Sequence, residues 1–375
     1  LGQCPFHDDG EPSLVVTPAK NLWHCFGCGI GGNPIDWVMK QRGVSFRHAV
    51  ELLRADLAGD ISPLAANAGH NDSSIPKPAA VKRSTVRTLD APIAFDADNQ
   101  ALLNQVIGYY HDTLKVSPEA YAYLESRGFA GEPLALAIAT FKLGYANRTL
   151  GLRLPEKNRV AGNAIRARLQ DIGIVRESGH EHFNGSLVIP IFDESGNVVE
   201  VYGRKIRDDL RKGTPKHLYL PGQHRGLWNL NALVEAKEVI LCEALIDALT
   251  FWCAGYKNVT SCYGIEGFTD EMPELFTRYG TQRVLLAFDR DEAGERGTAK
   301  VAEKLMAIGI ECFRIRFPQG LDANAYYVQQ GKTASQALGR LIRQAEWLGN
   351  GKPVSLLETV PENALDSGDS PRQAA

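Results

Sequence analysis

Two groups of residues in this chain have the types and spacing to do chemistry. The first is Cys4-Pro-Phe-His7 with Cys25-Phe-Gly-Cys28, two ligand pairs with 17 residues between them. A two-residue gap lets both members of a pair turn toward one ion, and four S and N donors close a tetrahedral zinc site. With all four positions taken by protein, such a zinc is structural rather than catalytic. Gly27, Gly29, Gly31 and Gly32 supply the permissive backbone that such knuckles need. His24 adjoins the second pair, but using it instead of Cys25 would break the two-residue gap, so it is expected at the surface. Cys242, Cys253, Cys262 and Cys312 fall in apolar runs and are expected in the core.

The second group is acidic. Glu243 closes the run Val-Ile-Leu-Cys, and Asp247 follows four residues later; Asp289 closes Val-Leu-Leu-Ala-Phe, and Asp291 follows two residues later. In a parallel open sheet, ligands gather outside the carboxyl ends of the strands, so neighbouring strands would bring Glu243, Asp289 and Asp291 to one rim. After the next strand, Asp322 and Asn324 could add a carboxylate and an amide. Hard oxygen ligands in that arrangement suit Mg²⁺ or Mn²⁺, which commonly act on phosphates. Solvated loop acids are the alternative, since Asp and Gly are common after strands. Three successive strand ends weigh against it.

The elements that must position these groups are readable from periodicity. From residue 236 the order is strand 238–242, helix 244–254, strand 258–263, helix 270–279, strand 283–288, helix 293–308 and strand 311–317. Apolar β-rich runs alternating with helices predict βαβ units and a mainly parallel sheet flanked by helices. Upstream, helical spacing covers roughly 100–130, 187–192 reads as a buried strand, and 198–203 as its partner across an Asp-Glu-Ser-Gly turn. Near the start, Asn33-Pro34 opens a helix, and Phe46, Ala49, Val50, Leu53 and Leu57 continue at helical spacing. Residues 59–98 are rich in Ala, Asn, Ser, Pro and Gly and read as a flexible linker.

The expected fold is therefore α/β and multidomain. It comprises a zinc-ribbon module at 1–58, the linker at 59–98, a basic α+β subdomain at 99–235 and a catalytic α/β domain at 236–330. At 331–375 a helix over about 335–348 and a disordered tail are expected. The length of 375 residues fits such a division. Net charge is −3, yet residues 99–235 carry +3 (17 basic, 14 acidic) and 236–325 carry −4 (10 basic, 14 acidic). A basic block beside an acidic one hints at an anionic polymer held next to a cation site. Ordinary fluctuation is the alternative. No apolar run approaches the roughly 18 residues of a membrane span. An odd count of seven Cys fits a reducing cytoplasm better than a disulfide scaffold. The start at Leu1, with neither Met nor a signal-like segment, reads as a chain whose N-terminus is missing.

At this point a resemblance becomes specific. CPFHDDGEPSLVV with WHCFGCGIGGNPIDWVM resembles the zinc-binding module of bacterial DnaG-type primases, including phage and plasmid relatives. ILCEALIDAL, SCYGIEG and LLAFDRDEAG are similar to the Toprim domain shared by primases, topoisomerases and some nucleases. Between them, YAYLESRGF, FKLGYA, SLVIPIFDESGNVVEVYGRKI and PKHLYLPG resemble the basic subdomain that precedes Toprim in primases. The motifs occur in family order over residues 3–330.

The resemblance implies synthesis of short RNA primers from ribonucleoside triphosphates on single-stranded DNA, with a structural zinc and catalytic Mg²⁺ or Mn²⁺. It also leaves room for a replicative helicase supplied in trans. Glu243 then matches the Toprim glutamate, Asp289 and Asp291 the metal-binding DxD pair, Asp247 the acid four residues after the glutamate, and Asp322 a further ligand. Arg204 and Lys216 match basic positions that contact template or nucleotide phosphates, although a solvated surface charge is an equal alternative for each. Phe6, Trp23 and Phe26 could stack on unpaired bases, with a place in the small core as the favoured reading.

This chain departs from the family in two places. The family's DPD is here Asp322-Ala-Asn324, and Phe183-Asn-Gly-Ser186 stands where an Arg-rich run is usual. Competing readings are a Toprim nuclease or topoisomerase-like enzyme and a non-catalytic zinc-dependent DNA-binding protein. The first would want an ATPase motif, and none is seen; the second should have lost the acids, which stand.

Overall fold

The computed structural model describes residues 2–44, 46, 49–50, 52–53, 91–155, 159–264 and 266–350. The expected linker up to residue 90, most of the segment 45–57 and the expected tail beyond 350 lie outside the described residues.

At the N-terminal end, β1 (Leu14–Thr17), β2 (Leu22–Cys25) and β3 (Gly31–Gly32) form an antiparallel sheet. The helix Pro34–Arg42 follows, opened by a capping box in which Asn33 accepts from Ile35 and Asp36 while Asp36 accepts from Asn33. Trp23 is buried, Phe6 and Trp37 pack against it, and the three rings meet at 4.8–5.3 Å. Phe6 and Trp23 thus take the core role expected of them. Phe26 is 72% exposed and rests on the ring of His24. So small a core cannot hold a fold alone, and a metal is the usual supplement.

Three helices, Asn99–Lys115, Pro118–Ser126 and Gly131–Phe141, precede a second sheet of β4 (Gly144–Ala146), β5 (Ser186–Phe192), β6 (Val198–Lys205) and β7 (His217–Tyr219). It is wholly antiparallel, in the order β4-β5-β6-β7. Both faces of β5 are covered, which explains its unbroken apolar run. Leu187, Ile189 and Ile191 join one core, while Val188 joins another with Val198, Val201 and Leu218.

The third sheet holds β8 (Glu238–Cys242), β9 (Val259–Ser261), β10 (Arg283–Ala287), β11 (Glu311–Arg314) and β12 (Glu346–Trp347), ordered β12-β11-β10-β8-β9. The pairs β11/β10, β10/β8 and β8/β9 are parallel, and helices Leu245–Cys253, Glu271–Arg278 and Glu292–Ala307 link the four strands. This is the expected βαβ order. The last part differs: the helix ends at Arg343, and Glu346–Trp347, expected to be helical, pairs antiparallel with β11. Trp347 packs on Phe313 at 5.1 Å, a tertiary contact that overrides the local helical spacing. One continuous core runs from the helices before β4 through β5 into this sheet.

Candidate functional site

The zinc set is assembled. The ligand atoms of Cys4, His7, Cys25 and Cys28 all lie within 4.8 Å of one another, with Cys4 Sγ 3.9 Å from Cys28 Sγ and Cys25 Sγ 3.8 Å from His7 Nδ1. Zinc–sulfur bonds of about 2.3 Å directed tetrahedrally require an S···S edge of roughly 3.8 Å, so the residues fit zinc. Two neighbours not singled out from sequence complete the arrangement. Asp9 lies 3.3 Å from His7 Nε2 and accepts from the Cys4 and Ser13 N–H groups, and the Ser13 hydroxyl is 3.2 Å from Cys25 Sγ. Burial works against ionising Cys25, but hydrogen bonds from Ser13, from the Cys28 N–H and from the Cys28 and Cys4 thiols together hold it down at about 7. His24 is exposed and outside the set. Cys242, Cys253, Cys262 and Cys312 are buried and unpaired, as expected.

The acids converge where the topology places them. β8 and β10 are neighbours with Cys242 opposite Ala287, so Glu243 and Asp289 leave the sheet side by side. Asp291 caps Glu292–Ala307, accepting from Gly294 at 2.7 Å, and Asp322 caps Ala323–Gln330, accepting from Ala325 at 2.6 Å. Each spends one oxygen on its cap and keeps the other.

Electrostatics tie the five acids together. Glu243 is pushed up to about 7 by burial and then by the Asp289 carboxylate, while an N–H from Asp289 works the other way. Asp289 is pushed up to about 6 by burial, Asp322 and Asp291. Asp247, 5% exposed in the first turn of its helix, is held well above the carboxylate range by burial, Asp322 and Asp289. Oε2 of Glu243 is buried and has no hydrogen-bond partner. Crowded carboxylates with an orphaned acceptor are what a cation would satisfy. Among the described residues only the Cys/His set closes to within 4.8 Å, so the acids form a wider rim. That suits a hard divalent ion retaining water and phosphate ligands.

Two features hold the rim in place. A Cβ at Gly294 would collide with the Asp289 carbonyl oxygen, so only glycine lets the capped helix start this close. Arg314, 1% exposed beneath the loop, donates to the Asp289 carbonyl at 3.0 Å and to Glu295 at 3.2 Å. Asn324 is not aimed at the rim as a ligand: its Oδ1 accepts from Arg127 at 3.1 Å, and its Nδ2 donates to Thr250 and to the Arg127 carbonyl.

Arg204 and Lys216 lie at the ends of β6 and before β7, where Arg204 pairs in register with His217. The Arg204 guanidinium contacts His217, whose imidazole is held down at about 4 by burial and by Arg204, Lys216 and Arg127. Lys216 pairs with Asp208 at 3.0 Å on the exposed surface. Tyr202, buried in β6, meets the same imidazole, its hydroxyl 3.0 Å from His217 Nδ1.

Comparison with known proteins fits this arrangement. Residues 1–67 match the CHC2 zinc finger family, 109–223 the N-terminal domain of the DNA primase catalytic core, and 240–327 the Toprim-like family. These three matches occur in the order in which the zinc set, the antiparallel sheet and the acidic rim appear. In content and order these are the modules of DnaG-type primases, to which the chain is similar over most of its length. The DNA primase of Aquifex aeolicus is 28% identical over 374 residues, covering 96% of this chain and 66% of that protein. The DNA primase of Staphylococcus epidermidis is 28% identical over 352 residues, covering 87% of this chain and 52% of that protein. The chain thus spans between half and two thirds of these relatives' length. The solved Aquifex aeolicus primase, comprising zinc-binding and RNA polymerase domains, shares the fold. Its TM-score is 0.55 over 92% of this chain and 78% of that one, at 23% identity. A solved DnaG catalytic core gives 0.54 over 66% and 80%, at 25% identity.

Proposed function

We propose that this chain synthesises short RNA primers from ribonucleoside triphosphates on a single-stranded DNA template during DNA replication. The observation that carries this reading is the convergence of Glu243, Asp289 and Asp291 at adjacent parallel strand ends, with Glu243 Oε2 buried and unpaired. Support also comes from a solved DnaG primase catalytic domain bound to single-stranded DNA, which shares this fold at 24% identity and a TM-score of 0.53.

Glu243, Asp289 and Asp291 are the catalytic acids in this reading. With Asp247 and Asp322 they would hold Mg²⁺ or Mn²⁺, whose charge would favour ionisation of the primer 3′-hydroxyl and offset the charge on the pyrophosphate released as that oxygen joins the α-phosphorus. The chain's own groups do the rest. Glu243 keeps a dry acceptor at the rim, Arg314 fixes the Asp289 loop from below, and Arg204 and Lys216 draw nucleotide or template phosphates toward the acids. Cys4, His7, Cys25 and Cys28 hold a structural zinc that orders the N-terminal sheet.

The labour divides as the sequence suggests, with the zinc module within 1–58, the basic subdomain over 99–235 and the Toprim unit over 236–330. A replicative helicase acting in trans and a cytoplasmic location complete the proposal. No helix among the described residues is long and apolar enough to cross a membrane.

The test is incubation of the protein with Mg²⁺ or Mn²⁺, single-stranded DNA templates and labelled ribonucleotides, with the products sized. Short template-dependent RNA is expected. Cleavage of the template without RNA would favour a nuclease, and no reaction under any metal would favour a binding protein.

A further inference from the structure

Arg127 and Asn324 are 197 positions apart and are joined by two hydrogen bonds: Arg127 Nη1 to Asn324 Oδ1 at 3.1 Å, and Asn324 Nδ2 to the Arg127 carbonyl at 3.0 Å. Nδ2 also donates to Thr250 Oγ1 at 2.9 Å, and the Asn324 backbone N–H donates to Asp247 Oδ1 at 3.0 Å. The Thr250 hydroxyl spends its own proton on the Ile246 carbonyl at 2.8 Å, so toward residue 324 it can only accept. That fixes which way the amide faces. An aspartate here would set an oxygen against two acceptors, Thr250 Oγ1 and the Arg127 carbonyl.

The turn bearing Arg127 is pressed onto the same helix. Gly128 has φ +81°, and a Cβ there would meet the Tyr327 ring at 3.0 Å. The guanidinium is held from another side, 5.4 Å above the Tyr123 ring. Asn324 itself is 1% exposed.

We propose that Arg127 and Asn324 form a latch that sets the Asp322 turn and Asp247 against Glu243 and Asp289. Both are positioning residues of the cation site rather than ligands of it. The latch carries geometry from the helix Pro118–Ser126, outside the Toprim unit, to the acids. It also gives the departure from an acidic residue at 324 a physical sense: the amide supplies donors that a carboxylate lacks.

The proposal rests on reading the acids as a cation site, so the test measures Mn²⁺ directly, by electron paramagnetic resonance titration of the full chain. Arg127→Ala, Asn324→Ala and Asn324→Asp should each weaken Mn²⁺ binding by about tenfold, the scale found for groups that orient metal ligands. The double variant Arg127→Ala/Asn324→Ala should bind no more weakly than the worse single one, because one latch is broken once. Tighter Mn²⁺ binding by Asn324→Asp would make position 324 a ligand site and overturn the latch, as would single losses that multiply. Thr250→Val removes one acceptor at similar volume. It should lose less in the same direction even if the other variants fail to fold, and unchanged affinity there would also overturn the latch. A wild-type chain that bound no Mn²⁺ would remove the cation site and the latch together. One that bound Mn²⁺ without making primers would refute only the proposed synthesis.

Discussion

His7 turns Nε2 toward the Asp9 carboxylate, 3.3 Å away, and so commits Nδ1 to the cysteine sulfurs. Asp9 also accepts from the Cys4 N–H at 2.7 Å and from the Ser13 hydroxyl at 2.9 Å, so one carboxylate orients ligands in both halves of the set. Asp9→Ala should weaken zinc binding about 10–100-fold, read by competition with a chromogenic chelator. Cys25→Ala should lose the metal outright. An Asp9→Ala protein that held zinc as tightly as wild type would show that the ring needs no such partner.

Gly294 offers a second test, because two effects there oppose each other. In an ordinary helix, Gly→Ala stabilises by about 0.5–1 kcal/mol. At Gly294 the new Cβ would strike the Asp289 carbonyl, and overpacking against backbone costs about 1–3 kcal/mol. The clash should win. Gly294→Ala should melt lower than wild type and lose synthesis because the Asp289 loop is displaced. A variant that melted higher would mean that the loop yields freely.

How much of the fold and of the site is legible in the sequence follows from the range of the interactions. The strand ends at Glu243 and Asp289 were legible because apolar β runs and the acids closing them are contiguous in sequence. The CxxH and CxxC pairs were legible because knuckle chemistry is local. Arg127, Thr250 and Arg314 were not, since each acts through partners far along the chain: Asn324 for the first two, and Asp289 and Glu295 for the third. Asp9 and Ser13 lay in plain view beside His7, but nothing in their spacing distinguishes them from turn residues. The helix read through residue 348 failed for a different reason. Leu341, Ile342, Ala345 and Leu348 keep helical spacing with no Gly or Pro to stop it, while the chain instead ends its helix at Arg343 to pair Glu346–Trp347 with β11.

Glu181 gives a pH prediction away from either metal site. Burial pushes its carboxyl up to about 7, against hydrogen bonds from the Tyr110 hydroxyl and the N–H groups of Gly151 and Leu150. The folded chain therefore keeps this proton up to about pH 7, whereas the unfolded chain loses it near the ordinary value of 4.5. Between those values the folded state binds more protons, so stability falls as pH rises. The contribution is complete below about pH 4.5 and lost above about pH 7, on the order of 3 kcal/mol at its full extent. Glu181→Gln should flatten the decline in melting temperature between pH 5 and pH 8 and melt higher than wild type at pH 8. An unchanged slope would assign the decline to other groups.

Asp289 separates stability from chemistry most sharply. Its carboxyl is pushed up to about 6 by burial and by Asp322 and Asp291, and it in turn raises Glu243 and Asp247. In metal-free protein this is mutual repulsion, and Asp289→Ala relieves part of it. The metal-free variant should melt at or slightly above the wild-type temperature, since the backbone contacts of Asp289 to Arg314 do not depend on its side chain. Adding Mn²⁺ should raise the wild-type melting temperature by mass action and leave the variant unmoved. Primer synthesis should fall by orders of magnitude, because the site can no longer hold positive charge where the transition state needs it. Melting curves with and without Mn²⁺, beside product sizing on a single-stranded template, read all three effects. A folded Asp289→Ala chain with near-normal synthesis would place the chemistry away from this rim and leave the acids without a catalytic role.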